Sequence, residues 1–196
     1  MADRRLRGTV FQALTGRTGA DVSGSVAGDL LGQLRAVGGP STRTRSGIDL
    51  TRAASRLGVS RRTVERWVAS AAAGGGRRPS PASARTIASR ARSAATSQRG
   101  RREAVQAARA QAAQNGVRLR INGRQGPTRA GRDYLRPRQT FQNLSPDEAD
   151  SLFDAYERGG EQGFLDWATS YWDQNYLDGW GFDTIDGVEV DPRTGE

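Results

Sequence analysis

The charge of this chain is divided along its length, and that division limits how it can fold. Residues 1–142 carry 28 Arg and 7 acidic residues, a net +21; residues 143–196 carry 2 Arg and 14 acidic residues, a net −12. The acidic part also holds Phe153, Tyr156, Phe164, Trp167, Tyr171, Trp172, Tyr176, Trp180 and Phe182. Aromatics at that density predict a folded unit rather than a disordered acidic tail. Hydrophobic residues make up only 35% of the whole chain, too few for one large core, so small units joined by basic stretches are expected.

All 30 cationic residues are Arg, and the chain lacks Lys, His and Cys. Those absences exclude zinc fingers, thiol nucleophiles and a Ser-His-Asp triad. They also exclude Schiff-base chemistry, lysyl-nucleotide intermediates and a P-loop, whose Lys reaches the terminal phosphates. Any chemistry must run on hydroxyls, carboxylates and guanidinium groups. No apolar run approaches the ~20 residues of a membrane span, and the N-terminus lacks the apolar stretch of a signal peptide. The expectation is a cytoplasmic protein. A segment of net +21 points to nucleic acid, with binding that weakens steeply as salt rises. The acidic part would be repelled by DNA, so it is expected to face a protein partner or the basic half.

The pattern along the chain predicts a mainly α fold. Residues 1–24 are polar and Gly-rich and are expected to be flexible. A first domain, 25–72, begins with a helix from Val26 to Val37, stopped by Gly38-Gly39-Pro40. It continues with helices over Leu50–Leu57 and Arg61–Ala71, joined by a turn in which Gly58 takes positive φ and Ser60 is the N-cap. Residues 73–81 read as a linker. Residues 82–143 are expected to hold an Arg-rich helix interrupted near Gly100, a short strand over Val117–Ile121, a hairpin-type turn at Asn122-Gly123 and an irregular basic loop. The acidic aromatic domain, 144–196, opens with the capping box Ser145-Pro146-Asp147-Glu148. Two helices meeting at Gly159-Gly160 follow, and then a short strand or hairpin around Asp186-Gly187.

Leu50–Trp67 carries the pattern of a helix-turn-helix unit. Ala53, Ala54 and Leu57 pack the first helix, and Val59, Val64 and Trp67 pack the second against it. Ser60, Arg61, Arg62, Thr63 and Arg66 are left at the outer, N-terminal part of the second helix, where base edges and phosphates are reached. Arg77 and Arg78 lead into the Arg-rich segment, a second candidate DNA-tracking surface. Asp147, Asp150 and Asp154 recur at helical spacing, which reads as a solvated face suited to a helix N-terminus rather than a metal site. Thr128, Tyr134, Thr140 and Ser145 lie between the basic half and the acidic domain. Composition alone makes Thr128 part of a polar turn. Arg124, Arg129 and Arg132 around it would also suit a hydroxyl that attacks a nucleotide phosphate.

Several segments taken together resemble one family. They are Ala53–Val68, the Arg-rich helix after it, the strand Val117–Ile121, Leu144-Ser-Pro-Asp-Glu-Ala-Asp-Ser-Leu-Phe-Asp-Ala-Tyr-Glu-Arg-Gly159, and the stretch from Ile185 to Val190. In this order the chain resembles the telomere terminal proteins (Tpg type) of linear actinomycete chromosomes and plasmids. The resemblance implies a protein joined covalently to the 5′ end of linear DNA. A side-chain hydroxyl receives the first deoxynucleotide, and a DNA polymerase extends it to copy the 3′ overhang. It implies a primer and a cap rather than an enzyme, with no cofactor of its own and with divalent metal ions on the polymerase. The implied partners are telomeric DNA, as duplex and as single-stranded overhang, the polymerase and a telomere-associated binding protein. The implied location is the nucleoid.

Thr128, in Gly126-Pro127-Thr128, is the closest match to the family's priming Thr, with Tyr134 and Thr140 as alternatives. Arg124, Arg129 and Arg132, near Thr128 in sequence, are expected to contact the nucleotide and template. The loop departs from the family in its length, in Pro127, and in Arg129 and Ala130 where the family has acids. The reading from a different class is a non-covalent helix-turn-helix regulator of a plasmid or phage, with the C-terminal domain serving oligomerisation.

Overall fold

The computed structural model describes residues 4–76, 78–128 and 134–193. Among these, seven helices and a three-stranded antiparallel sheet make the fold mainly α. The helices are α1 (Arg4–Thr15), α2 (Leu30–Gly38), α3 (Leu50–Leu57), α4 (Arg61–Ala72), α5 (Pro81–Thr96), α6 (Gln98–Asn115) and α7 (Pro146–Asn175). The strands are β1 (Val117–Pro127), β2 (Arg136–Leu144) and β3 (Trp180–Pro192). The chain forms two compact units, one of residues 15–104 and one of residues 1–14 with 105–196. No helix among the described residues is long and apolar enough to cross a membrane.

The 15–104 unit is helical. Asp29, Asp49, Ser60 and Ser80 each cap a helix start by accepting backbone N–H bonds, which satisfies donors that the helix itself leaves open. Leu34, Ile48, Ala53, Val64, Trp67 and Ile87 close one core. Gly38 is part of that closeness, because a Cβ there would lie 2.7 Å from the carbonyl oxygen of Asp49. The structure draws the boundaries differently from the pattern. The α2 helix begins at Leu30, because Asp29 caps it, and Val26 lies outside it at 54% exposure. Residues 73–81 do not separate two domains, since Ile87 of α5 belongs to the core of α2–α4. The interruption expected near Gly100 falls at Ser97, whose backbone is extended. Gly100 instead permits a close backbone approach, because a Cβ there would meet the carbonyl oxygen of Ser93 at 2.1 Å.

The other unit is built on the sheet, in the order β2-β1-β3. Its inner face carries Val117, Leu119, Ile121 and Leu144, packed with Phe153, Tyr156, Phe164 and Trp172 of α7. Val10 and Leu14 of α1 join that core, so the expectation of a flexible residue 1–24 segment is corrected: Val10, Phe11 and Leu14 are fully buried on an amphipathic helix. Asn122-Gly123 is not a turn. β1 runs on through both residues to Pro127, paired on each side. Within the stretch expected to be irregular, residues 124–127 belong to β1 and residues 136–143 to β2, and Pro137 is accommodated there because β2 is an edge strand. The terminal strand is longer than expected, a single strand of 13 residues whose pairing shifts register near Asp186-Gly187 instead of forming a hairpin there. The two predicted C-terminal helices meet where expected: α7 kinks at Gly160, with φ 63° and ψ −140°.

Candidate nucleic-acid interface and candidate priming hydroxyls

α3 ends because Gly58 adopts the left-handed conformation, φ 66°, which a side chain would strain. Two residues later Ser60 caps α4, its Oγ accepting from the Thr63 N–H at 3.2 Å and lying 2.9 Å from the Thr63 hydroxyl. Val64, Trp67 and Val68 turn inward, which leaves Arg61, Arg62 and Arg66 exposed. These cations are not equivalent. Arg61 is paired with Glu65 at 2.9 Å one turn on, and Arg66 reaches the Thr63 hydroxyl at 3.4 Å. Beside them lies a cleft of about 450 Å³ lined by Thr63, Arg66, Trp67, Arg78, Ser80 and Ser83. It brings Arg66 of α4 and Arg78 of the following segment to one place, with three hydroxyls and the N-cap of α5. Sequence separation hid this grouping. Arg77 lies outside the described residues.

A second polar cleft of the same unit is organised by Arg56. Its guanidinium donates to the Val37 carbonyl at 2.8 Å and to Glu103 at 3.0 Å. Burial lowers the Arg56 pKa, and Glu103 partly offsets that. Glu103 is itself held below the usual carboxylate range, first by the hydrogen bond from Arg99. This arrangement reads as a structural clasp.

In the sheet unit the candidate hydroxyls separate. Thr128 is exposed at the end of β1, and its backbone N–H and hydroxyl both donate to the Gly179 carbonyl, at 2.8 and 3.0 Å. The neighbouring Trp180 indole N–H is buried without a hydrogen-bond partner among the described residues. Tyr134 is 45% exposed and rejoins β1 through its N–H, which donates to the Pro127 carbonyl at 3.2 Å. Arg129 and Arg132 lie outside the described residues.

Thr140 is corrected as a priming alternative. It is 5% exposed, donates to Gln125 Oε1 at 2.9 Å and accepts from Trp172 Nε1 at 3.1 Å. Gln125, fully buried, donates in turn to the carbonyls of Ile121 and Arg138. A closed network of this kind fixes the inner face and leaves no hydroxyl to react. Ser145 is likewise committed, to the α7 capping box with Glu148. Arg124 is not a free cation beside Thr128, because it pairs with Asp183 of β3 at 3.3 Å.

The expected acidic face of α7 is in part an internal contact. Arg109 of α6 reaches Asp154 at 2.6 Å, Asp150 at 3.4 Å and Glu157 at 3.6 Å, and Arg7 of α1 reaches Glu161 at 2.9 Å. No group of acids spaced to hold a metal ion occurs among the described residues. Set against known proteins, the chain matches no protein-family model, no curated protein and no solved structure.

Proposed function

We propose that this protein is a terminal protein that caps linear DNA and primes DNA synthesis from one of its own side-chain hydroxyls. The reading rests on the sequence resemblance. The observation that carries it is the sorting of the hydroxyls: Thr128 is exposed just after the end of β1, while Thr140 is buried and committed. In this reading α3 and α4 act as a helix-turn-helix unit on duplex DNA. Ser60, Arg62, Thr63 and Arg66 face the DNA, and Arg78 clamps a phosphate from the adjoining cleft.

The proposed step is a phosphoryl transfer. The Thr128 oxygen attacks the α-phosphorus of a deoxynucleoside triphosphate, a P–O bond forms, and pyrophosphate leaves with the electron pair of the broken bond. The hydroxyl proton passes to a base of the polymerase site or to water. The chain supplies the nucleophile, held by its bond to Gly179 at the sheet's end. The polymerase supplies the metal ions and the remaining catalysis.

Labelling tests this directly. The protein is incubated with a 3′-overhang template, radiolabelled deoxynucleotides and an extract containing polymerase and telomere-binding partner. Label that survives denaturation is expected on the wild type and absent from Thr128→Ala. Loss only in Tyr134→Phe would move the nucleophile to Tyr134. No label on any form, in an extract that labels a known terminal protein, would leave the second reading. That reading is a non-covalent DNA-binding regulator, favoured by the same basic face of α4.

A further inference from the structure

The sheet has two faces, and only the inner one is used by the core. Along β1 the outward positions are Arg118, Arg120, Asn122 and Arg124, and β2 places Asn143, Phe141 and Gln139 opposite the first three of them. Phe141 is 53% exposed although it lies in the middle of a strand. The Arg118 guanidinium stacks over its ring at 4.9 Å from the centroid and donates to Asn143 at 3.2 Å. Arg120 and Arg124 are held across the same face by Glu189 and Asp183 of β3. The result is a row of oriented guanidinium groups beside a solvent-facing aromatic ring, with carboxamides at the neighbouring positions.

Each part has a use if a nucleic-acid strand lies on this face. An open base stacks on an aromatic ring or on a guanidinium plane, carboxamides can bond base edges, and Arg tracks the backbone. A duplex hides its base faces and cannot use Phe141 in this way. The row from Arg118 to Arg124 spans about 20 Å of extended strand. β1 then runs to Pro127, with Thr128 next, so a strand laid along it leads toward the exposed Thr128.

We infer that the open face of the sheet, centred on Phe141 and Arg118 with Arg120 and Arg124 beside them, is a binding platform for single-stranded DNA. DNA is chosen over RNA because the same chain carries the proposed duplex-DNA surface on α4, and in that respect the inference rests on the functional reading above. The ion pairs of Arg120 and Arg124 exchange a carboxylate for a phosphate when the strand binds, which makes the platform weaker and less salt-sensitive than an unpaired cationic groove.

The experiment is fluorescence anisotropy with the full chain and three labelled probes: a 12-mer of dT, a 12-mer of rU and a random-sequence duplex. Phe141→Ala is expected to weaken dT binding by roughly ten-fold, in line with the loss of one base–aromatic stack, and to leave duplex binding unchanged. Phe141→Trp, which keeps a stacking surface, is expected to restore dT binding. Arg62→Ala with Arg66→Ala is expected to weaken the duplex and spare much of the dT affinity. Failure of the duplex arm alone would count against the α4 reading and leave the platform standing. An unchanged dT affinity in Phe141→Ala would overturn the platform, and so would an equal loss on duplex. Tighter binding of rU than dT would overturn the assignment to DNA. Self-association of the wild type that Phe141→Ala abolishes, with dT affinity unaltered, would assign the face to a second copy of the chain instead.

Discussion

The two units of this protein solve the same problem with different materials. The 15–104 unit closes its core with Leu, Ile, Val, Trp67 and many Ala, and buries Arg17 and Arg101 while leaving Arg61, Arg62, Arg66 and Arg78 exposed. The unit of residues 1–14 and 105–196 closes with Phe, Tyr and Trp over a sheet, and many of its charges pair within it: Arg7 with Glu161, Arg109 with three acids of α7, Arg120 with Glu189 and Arg124 with Asp183. Small side chains let short helices approach closely. Large aromatics supply more buried area per residue and hold one face of a small sheet. The contrast locates the use of charge in each unit. Both units hold ion pairs, Arg56–Glu103 and Arg61–Glu65 among them in the helical unit, but there Arg62 and Arg78 also stay exposed.

The largest expected effect tests whether the aromatic core stands apart. Trp172→Ala removes a fully buried ring and leaves the Thr140 hydroxyl without its donor, so it is expected to destabilise the sheet unit by about 3–5 kcal/mol. Trp67 is the one tryptophan of the 15–104 unit, which lets urea unfolding followed by fluorescence and circular dichroism separate the two. A separate early transition in which Trp67 emission does not change is expected. One transition shifting as a whole would erase the energetic distinction between the units.

The next effect belongs to the helical unit. Gly58→Val puts a β-branched side chain at φ 66°, at a cost of about 1–2 kcal/mol, and should lower the melting temperature of that unit. Ser80→Ala makes a gentler control in the same unit, at about 1 kcal/mol for a lost N-cap.

A comparable effect in the sheet unit depends on pH. The Ser145 backbone N–H, and then the Ser145 hydroxyl and the Tyr171 hydroxyl, hold Glu148 below the usual carboxylate range. Its contribution is therefore full above the ordinary carboxylate pKa and is lost as pH falls through the lowered value. Tyr171 moves the other way: burial, and then its bond to Glu148, push it up to about 12. The neutral phenol is the folded form, so its contribution is full below about 10 and is lost as pH rises through about 12. Glu148→Gln should flatten the acid limb of stability against pH, and Tyr171→Phe the alkaline limb. Urea midpoints across the pH range check both, and steep limbs retained in the variants would show that other groups set them.

The smallest effect is on salt dependence. Arg62→Ala removes one exposed cation from the face of α4, and the slope of log affinity for duplex DNA against log salt should fall by about 0.9. Arg61→Ala should change it less, because Glu65 already neutralises that side chain. Equal slopes for the two variants would mean that α4 does not meet phosphates in the way proposed.

Much of this protein is legible from neighbouring residues. The α3-turn-α4 unit follows from Gly58, Ser60 and the spacing of Ala53, Val64 and Trp67, all within one short segment. The α7 start follows from Ser145-Pro146 and Glu148, and its kink from Gly159-Gly160. In each case the residues that set the conformation lie within a few positions of it, so the pattern suffices. The reach of β1 was not legible, because Asn122-Gly123 is a turn signal that two flanking strands override. Nor was the fate of the candidate site: Thr140 is silenced by Gln125 and Trp172, and Arg124 is neutralised by Asp183, partners 15 to 59 positions away. Local pattern was therefore enough for the caps at Ser60 and Ser145, the α3–α4 turn, the division of charge and the aromatic character of the second core. Which hydroxyls are buried, which arginines are already paired and which face of the sheet is open were settled by folding alone, because burial and pairing depend on atoms that lie far apart along the chain until it folds.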